Sequence, residues 1–131
     1  MTFSLPAPDA MLGEPAAFDA AALTLRAPGR LHLGFLDPDG SIGRRFGSLG
    51  LVIEGFETRI RVSASPRHAV TASGPAERAE IGRVSEHLQC LQRHRGRAAP
   101  LALHLERVLP AHAGFGSGTQ LALAIGRAFA Q

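Results

Sequence analysis

The chain has no lysine, no tryptophan, no tyrosine and one cysteine in 131 residues. Each absence removes some chemistry. Without lysine there is no P-loop lysine and no Schiff-base amine. A lone Cys90 closes no disulfide within the chain and builds no cysteine metal cluster, which suits the reducing cytoplasm. With neither tyrosine nor tryptophan to stack bases, nucleic-acid binding is not expected, and the arginines at 93, 95 and 97 read as a helix end. No apolar run reaches the roughly 20 residues that span a bilayer, so no membrane partner is expected. The first twenty residues lack a basic start and contain Pro6, Pro8 and Pro15, which excludes a secretory signal and leads us to expect a mobile tail over 1–20.

What is present is 45% apolar and only 19% charged, the balance of a folded globular domain. All 14 basic residues are arginine. That usage reflects genome composition before any binding role, although the planar arginine fork suits phosphate. Leu23 and Leu25 alternate with polar neighbours, and so do Leu31, Leu33 and Phe35 against Arg30, His32 and Gly34, predicting two strands separated by a Pro28-Gly29 turn or bulge. Residues 49–55 and 57–64 predict two more strands joined around Gly55-Phe56, and 68–73 a short fifth. After Gly74-Pro75 the period changes. Glu77, Ile81, Val84, Leu88 and Leu91 form one helical stripe that ends near Gly96. A strand over 100–110 and a final helix from about Gly118 complete an α+β order, a two-layer mixed sheet with helices on one face.

Between the last strand and the last helix lies "LPAHAGFGSGTQ" (109–120). A strand, a glycine-rich loop and a helix start together make an anion site, because glycines turn successive amides inward and the helix start adds positive potential. Gly114, Gly116 and Gly118 supply the backbone freedom, while Ser117, Thr119 and Gln120 supply side-chain hydrogen bonds. Either hydroxyl could reach a phosphate oxygen or a Mg²⁺. The competing explanation is a plain turn with Ser117 as helix N-cap. The loop fails the lysine P-loop pattern, lacks the last glycine of G-x-G-x-x-G, and has Phe115 where G-x-S-x-G needs glycine.

Pro110, Gly114, Phe115, Gly116, Ser117 and Gly118 do match P-x-x-x-G-[LF]-G-S-[GS], which resembles the second motif of the GHMP superfamily of small-molecule kinases. "APGRLHLGF" (27–35) is similar to that superfamily's first motif, and the two come in the expected order. "GSGTQLALA" and "RLHLGFLDPDGSIGRRFGSLGL" depart from the kinases and resemble the β-ribofuranosylaminobenzene 5′-phosphate synthase family over about 22–131. That resemblance implies a GHMP-kinase N-terminal-like domain over 21–131, present only in part because family members are much longer. It further implies a decarboxylating condensation of 4-aminobenzoate with 5-phosphoribosyl 1-pyrophosphate, releasing CO₂ and pyrophosphate, in tetrahydromethanopterin biosynthesis. No ATP is expected in that step, and Mg²⁺ is expected with the pyrophosphate, with Ser117 as its protein ligand. Two alternatives stay open: an ATP-dependent GHMP kinase, and a truncated, non-catalytic anion-binding or interaction domain.

On this resemblance Arg30 and His32 stand beside the loop, Arg30 for a phosphate or the benzoate carboxylate and His32 for proton transfer or hydrogen bonding. Asp37 is the third catalytic candidate, as a Mg²⁺ carboxylate or else a solvated turn residue. Arg44 and Arg45 lie in a Gly-rich basic segment suited to closing over an anion, one of them on the ligand. His112 either lines the pocket or faces solvent. The last helix, apolar nearly all round, predicts burial on more than one side and hence a homodimer.

Overall fold

The computed structural model describes residues 21–43, 45–96 and 99–130; the expected tail and Arg44 lie outside the described residues. Among those residues the chain runs β1 (Leu23–Leu36), β2 (Gly47–Ala64), β3 (Ala69–Ala72), α1 (Pro75–Arg78), α2 (Ile81–Arg95), β4 (Leu101–Arg107) and α3 (Ser117–Phe129). The sheet order is β1-β2-β4-β3. β1/β2 and β2/β4 are antiparallel, and β3/β4 are parallel. A parallel pair needs a crossover, and α1 with α2 supplies it. The result is the expected α+β two-layer arrangement.

Strand parity builds the core. Leu25, Ile60 and Leu105 lie opposite one another across three strands, and so do Val62 and Leu103, with Val70 beside Leu103. Their shared face packs against Val84 and Leu88 of α2 and Leu121, Ala124, Ile125 and Ala128 of α3. Ile60, Leu105 and Ile125 are completely buried. Each such side chain contributes about 1.5–3 kcal/mol by leaving water. The opposite face is polar. There Glu57 accepts from Arg26 Nε at 2.7 Å and Arg59 Nε at 2.9 Å, and these guanidiniums hold its carboxyl below the usual range. Also on that face, His104 hydrogen-bonds Thr71 Oγ1 through Nδ1 at 2.7 Å and Ser73 Oγ through Nε2 at 2.9 Å.

Four sequence expectations are corrected. Neither Pro28-Gly29 nor Gly55-Phe56 ends a strand. The pairing jumps from Pro28↔Glu57 to Arg30↔Val52, so Ile53 to Phe56 bulge opposite Gly29, and β1 and β2 each run through. A side chain at Gly29 would sit 3.1 Å from Leu109 Cδ2, so a larger residue at this crossing would have to push that leucine aside. The strict alternation over 30–36 also fails. A second shift between His32 and Gly34 inserts Leu33 and flips parity, bringing Phe35 onto the face of His32, with ring centroids 4.7 Å apart. The helical stripe is cut at Ala79–Glu80 into a one-turn α1 begun by Pro75 and a long α2 closed by Gly96 at φ +62°. Finally, α3 buries a single stripe and leaves Leu123 58% exposed, so burial on more than one side is not what the structure shows. Among the described residues, no helix is long and apolar enough to cross a membrane.

Candidate anion-binding site

β4 ends at Arg107, and the chain is then pinned to the sheet: Leu109 N donates to the buried Thr58 Oγ1 at 3.3 Å. From this anchor the loop climbs through three left-handed residues, His112 (φ +57°), Gly114 (φ +80°) and Gly116 (φ +68°). Alternation of left-handed and ordinary residues curls a backbone so that its amides point to one side. Phe115 between the two glycines is held twice. Its carbonyl accepts from Arg30 N at 3.0 Å, and its ring stacks on Phe56 at 5.0 Å and 16°.

Gly116, not Ser117, is the N-cap of α3, and no side chain caps the helix. The first intrahelical bond runs from Gln120 N to Gly116 O at 2.9 Å. The amides of Ser117, Gly118 and Thr119 therefore lie in the uncapped first turn, where the helix's positive end is strongest. An uncapped start beside left-handed glycines is an arrangement that can accept an anion. The α2 helix contributes a cation that the sequence pattern does not reveal. Arg83 Nη1 lies 3.9 Å from where a Gly118 side chain would begin and 3.2 Å from Glu80 Oε2. Only the packing of α2 on α3 brings Arg83 there, since in sequence it is one more polar residue on a helix.

With this geometry established, relatives can be set beside it. Residues 82–131 match the GHMP kinases N terminal domain family. The chain is 38% identical over 112 residues to a beta-ribofuranosylphenol 5'-phosphate synthase of Archaeoglobus fulgidus, an alignment covering 83% of this chain and 33% of that protein. It is 33% identical over 113 residues to the enzyme of the same name from Methanothermobacter thermautotrophicus, covering 83% and 34%. Phosphomevalonate kinase of Streptococcus pneumoniae shares the fold at a TM-score of 0.57 and 14% identity, over 82% of this chain and 34% of that one. In fold, and in sequence over its C-terminal part, the chain is thus similar to the N-terminal domain of GHMP kinases. It spans about a third of the length of the curated relatives it matches.

Within the GHMP frame the expected residues divide into two groups. Arg30, Gly114, Gly116, Ser117, Gly118 and Thr119 gather at the loop. Arg30 binds it through the main chain, while its guanidinium lies over Gly50, whose missing side chain would sit 2.9 Å from Nη2. His32 is exposed on the strand beyond, against Phe35. Gln120 is buried on the inner stripe of α3, with 6% exposure, rather than displayed in the loop. Asp37 and Arg45 stand apart. Six residue steps along the strand separate Arg30 from Leu36, about 20 Å at strand rise. There Asp37 is 5% exposed at φ +60° and organises its own loop. Its carboxylate accepts from Ile42 N at 3.0 Å, and its carbonyl from Gly40 N and Phe46 N at 3.3 Å each. Arg45 lies across Gly40 in the same loop. Arg44 falls outside the described residues.

Proposed function

We propose that this chain forms the phosphate-holding part of a β-ribofuranosylaminobenzene 5′-phosphate synthase, a cytoplasmic, glycosyltransferase-type enzyme of tetrahydromethanopterin biosynthesis. It joins 4-aminobenzoate to 5-phosphoribosyl 1-pyrophosphate. The ring carbon that bears the carboxylate bonds to the ribose anomeric carbon as pyrophosphate leaves with its electron pair. The carbon–carboxylate bond then breaks, returns its pair to the ring and releases CO₂. No oxidant and no net proton are needed. The supporting observation is the uncapped α3 start with left-handed Gly114 and Gly116, because both substrate ends to be held are phosphates. The relatives' name supports the same chemistry and specifies a ribofuranosylphenol, which makes 4-hydroxybenzoate the natural comparison substrate.

Arg83 adds charge at the rim of the loop, while Arg30 holds the loop through its main chain. Among the described residues no three His, Cys, Asp or Glu side chains cluster as a cation cage. The Ser117 hydroxyl, in the first turn of α3, therefore fits a Mg²⁺ that arrives already bound to pyrophosphate, where the ion would neutralise the leaving group. The exposed apolar arm of β1 and β2 is the surface we assign to the homodimer.

The test follows ligand and product together. Phosphoribosyl pyrophosphate with Mg²⁺ is expected to shift the amide resonances of residues 113–119, and polypeptide carrying this chain to release labelled CO₂ from carboxyl-labelled 4-aminobenzoate. A loop that responds to ATP-Mg²⁺ and ignores phosphoribosyl pyrophosphate would overturn the reading.

A further inference from the structure

Next to the loop, on the side of Phe115 that faces β2, the fold leaves a cleft of about 350 Å³ between the Gly55 bulge, α1 and the end of β4. Small-molecule sites begin at roughly that size. Phe56 forms one wall, half-exposed and stacked on Phe115, so the glycine loop and the cleft share an aromatic pair. Val108 and Pro110 extend the apolar wall. Two carboxylates line the space, and they differ. Glu57 is occupied by Arg26 and Arg59. Glu77 Oε1 accepts from Val108 N at 3.3 Å, while Oε2 accepts no hydrogen bond among the described residues. Glycine at position 74 leaves room for that oxygen, since a side chain there would start 2.8 Å from Oε2.

We propose that this cleft is the aryl subsite of the reaction proposed above, on which the inference rests: the ring of a para-amino or para-hydroxy aromatic acid lies on the Phe56–Phe115 pair, its para N–H or O–H donates to Glu77 Oε2, and its carboxylate-bearing carbon faces the glycine loop. The chemistry gives Glu77 more than a binding role. When the ring carbon bonds to the ribose, positive charge spreads to the para nitrogen or oxygen and is discharged only when CO₂ leaves. A carboxylate fixed at that atom stabilises the charge where it develops. Phe56 supplies ring area and stacking at low ordering cost.

The test uses this chain in an NMR titration with three probes: 4-aminobenzoate, benzoate and pyrophosphate. 4-Aminobenzoate is expected to shift the amides of Phe56, Glu77 and Val108 and to bind about tenfold more tightly than benzoate, the worth of one hydrogen bond to a charged acceptor. Glu77→Gln, which keeps an acceptor for Val108 N, should erase that preference and leave benzoate unchanged. Phe56→Ala should weaken both aryl acids, and Phe56→Tyr should restore them. Pyrophosphate should shift residues 113–119 equally in wild type, Glu77→Gln and Phe56→Tyr, which also reports that each is folded. Saturable pyrophosphate binding with no aryl response at the cleft, or an amino preference that survives Glu77→Gln, overturns the aryl subsite and leaves the loop reading standing. Failure of pyrophosphate itself to bind wild-type chain overturns the reaction on which the subsite depends.

Discussion

The two halves of the β1/β2 pair are built from the same strands and live in different surroundings. Over Leu23–Ala27 and Thr58–Ala64 one face lies under α2 and α3, where Thr58, Ile60 and Val62 are buried alternately and Ala27 and Leu25 join them from β1. From Arg30 to Leu36 and from Gly47 to Val52, the strands form a two-stranded arm with Leu33, Phe35, Leu49, Leu51 and Val52 each more than half exposed. Isolated two-stranded ribbons are marginal in water. Hydrophobic sequence alone therefore does not make a core. A covering layer does, and in this chain the helices cover only the first half.

Substitution should separate the halves. Leu105→Ala removes a fully buried side chain at the centre of the sheet and is expected to cost about 3 kcal/mol in a denaturant melt; a cost below about 1 kcal/mol would mean the core is not where the strand parity places it. Gly116→Val forces a branched side chain into φ +68° and should lower pyrophosphate affinity at least tenfold by calorimetry, with about 1–2 kcal/mol of backbone strain besides. Retained affinity would show that the curl of the loop is dispensable.

A milder contrast comes from acid. Burial holds the imidazoles of His68 and His104 below their ordinary value of 6.5. His68 Nδ1 accepts from Leu101 N at 3.3 Å, so the ring is neutral in the fold. As pH falls below 6.5 the unfolded chain takes up protons that the folded chain refuses, and stability must decline; above that pH both states are neutral and the effect vanishes. The melting temperature should fall between pH 7.5 and 5.5, a window in which carboxylates remain charged, and His68→Gln should flatten part of that slope. Smallest of all, Phe35→Ser on the arm should change stability by less than about 0.5 kcal/mol. Its effect should be on association, moving sedimentation toward monomer. A large loss of stability would show that the arm is covered within the chain itself.

The covered half is also the half that could be read from sequence. Leu25, Ile60, Val62, Leu103 and Leu105 keep one parity because a buried face enforces it. In the arm nothing enforces alternation, so an inserted Leu33 costs little, and the apparent pattern over 30–36 misassigned Phe35. Pro28-Gly29 looked like a strand end because local signals cannot tell a bulge from a turn; β2 decides. The loop was legible, since Gly114, Gly116 and the helix start are adjacent in the chain. Arg83 and the cleft between Phe56 and Glu77 were not, because tertiary packing assembles them from separate elements. Asp37 shows another kind of reach: its carboxylate accepts from Ile42 N and its carbonyl from Gly40 N and Phe46 N, bonds within one loop that no sequence pattern displays.

The link from Arg30 N to Phe115 O joins two main-chain atoms. No exchange of side chains at either residue can sever it, short of proline at position 30. The strand that carries a cation and the loop that offers amides are thus fixed to each other by a chassis indifferent to what is mounted on it. Evolution is free to refit every pocket wall, trading one donor or aromatic ring for another, while the frame that aims them stays put.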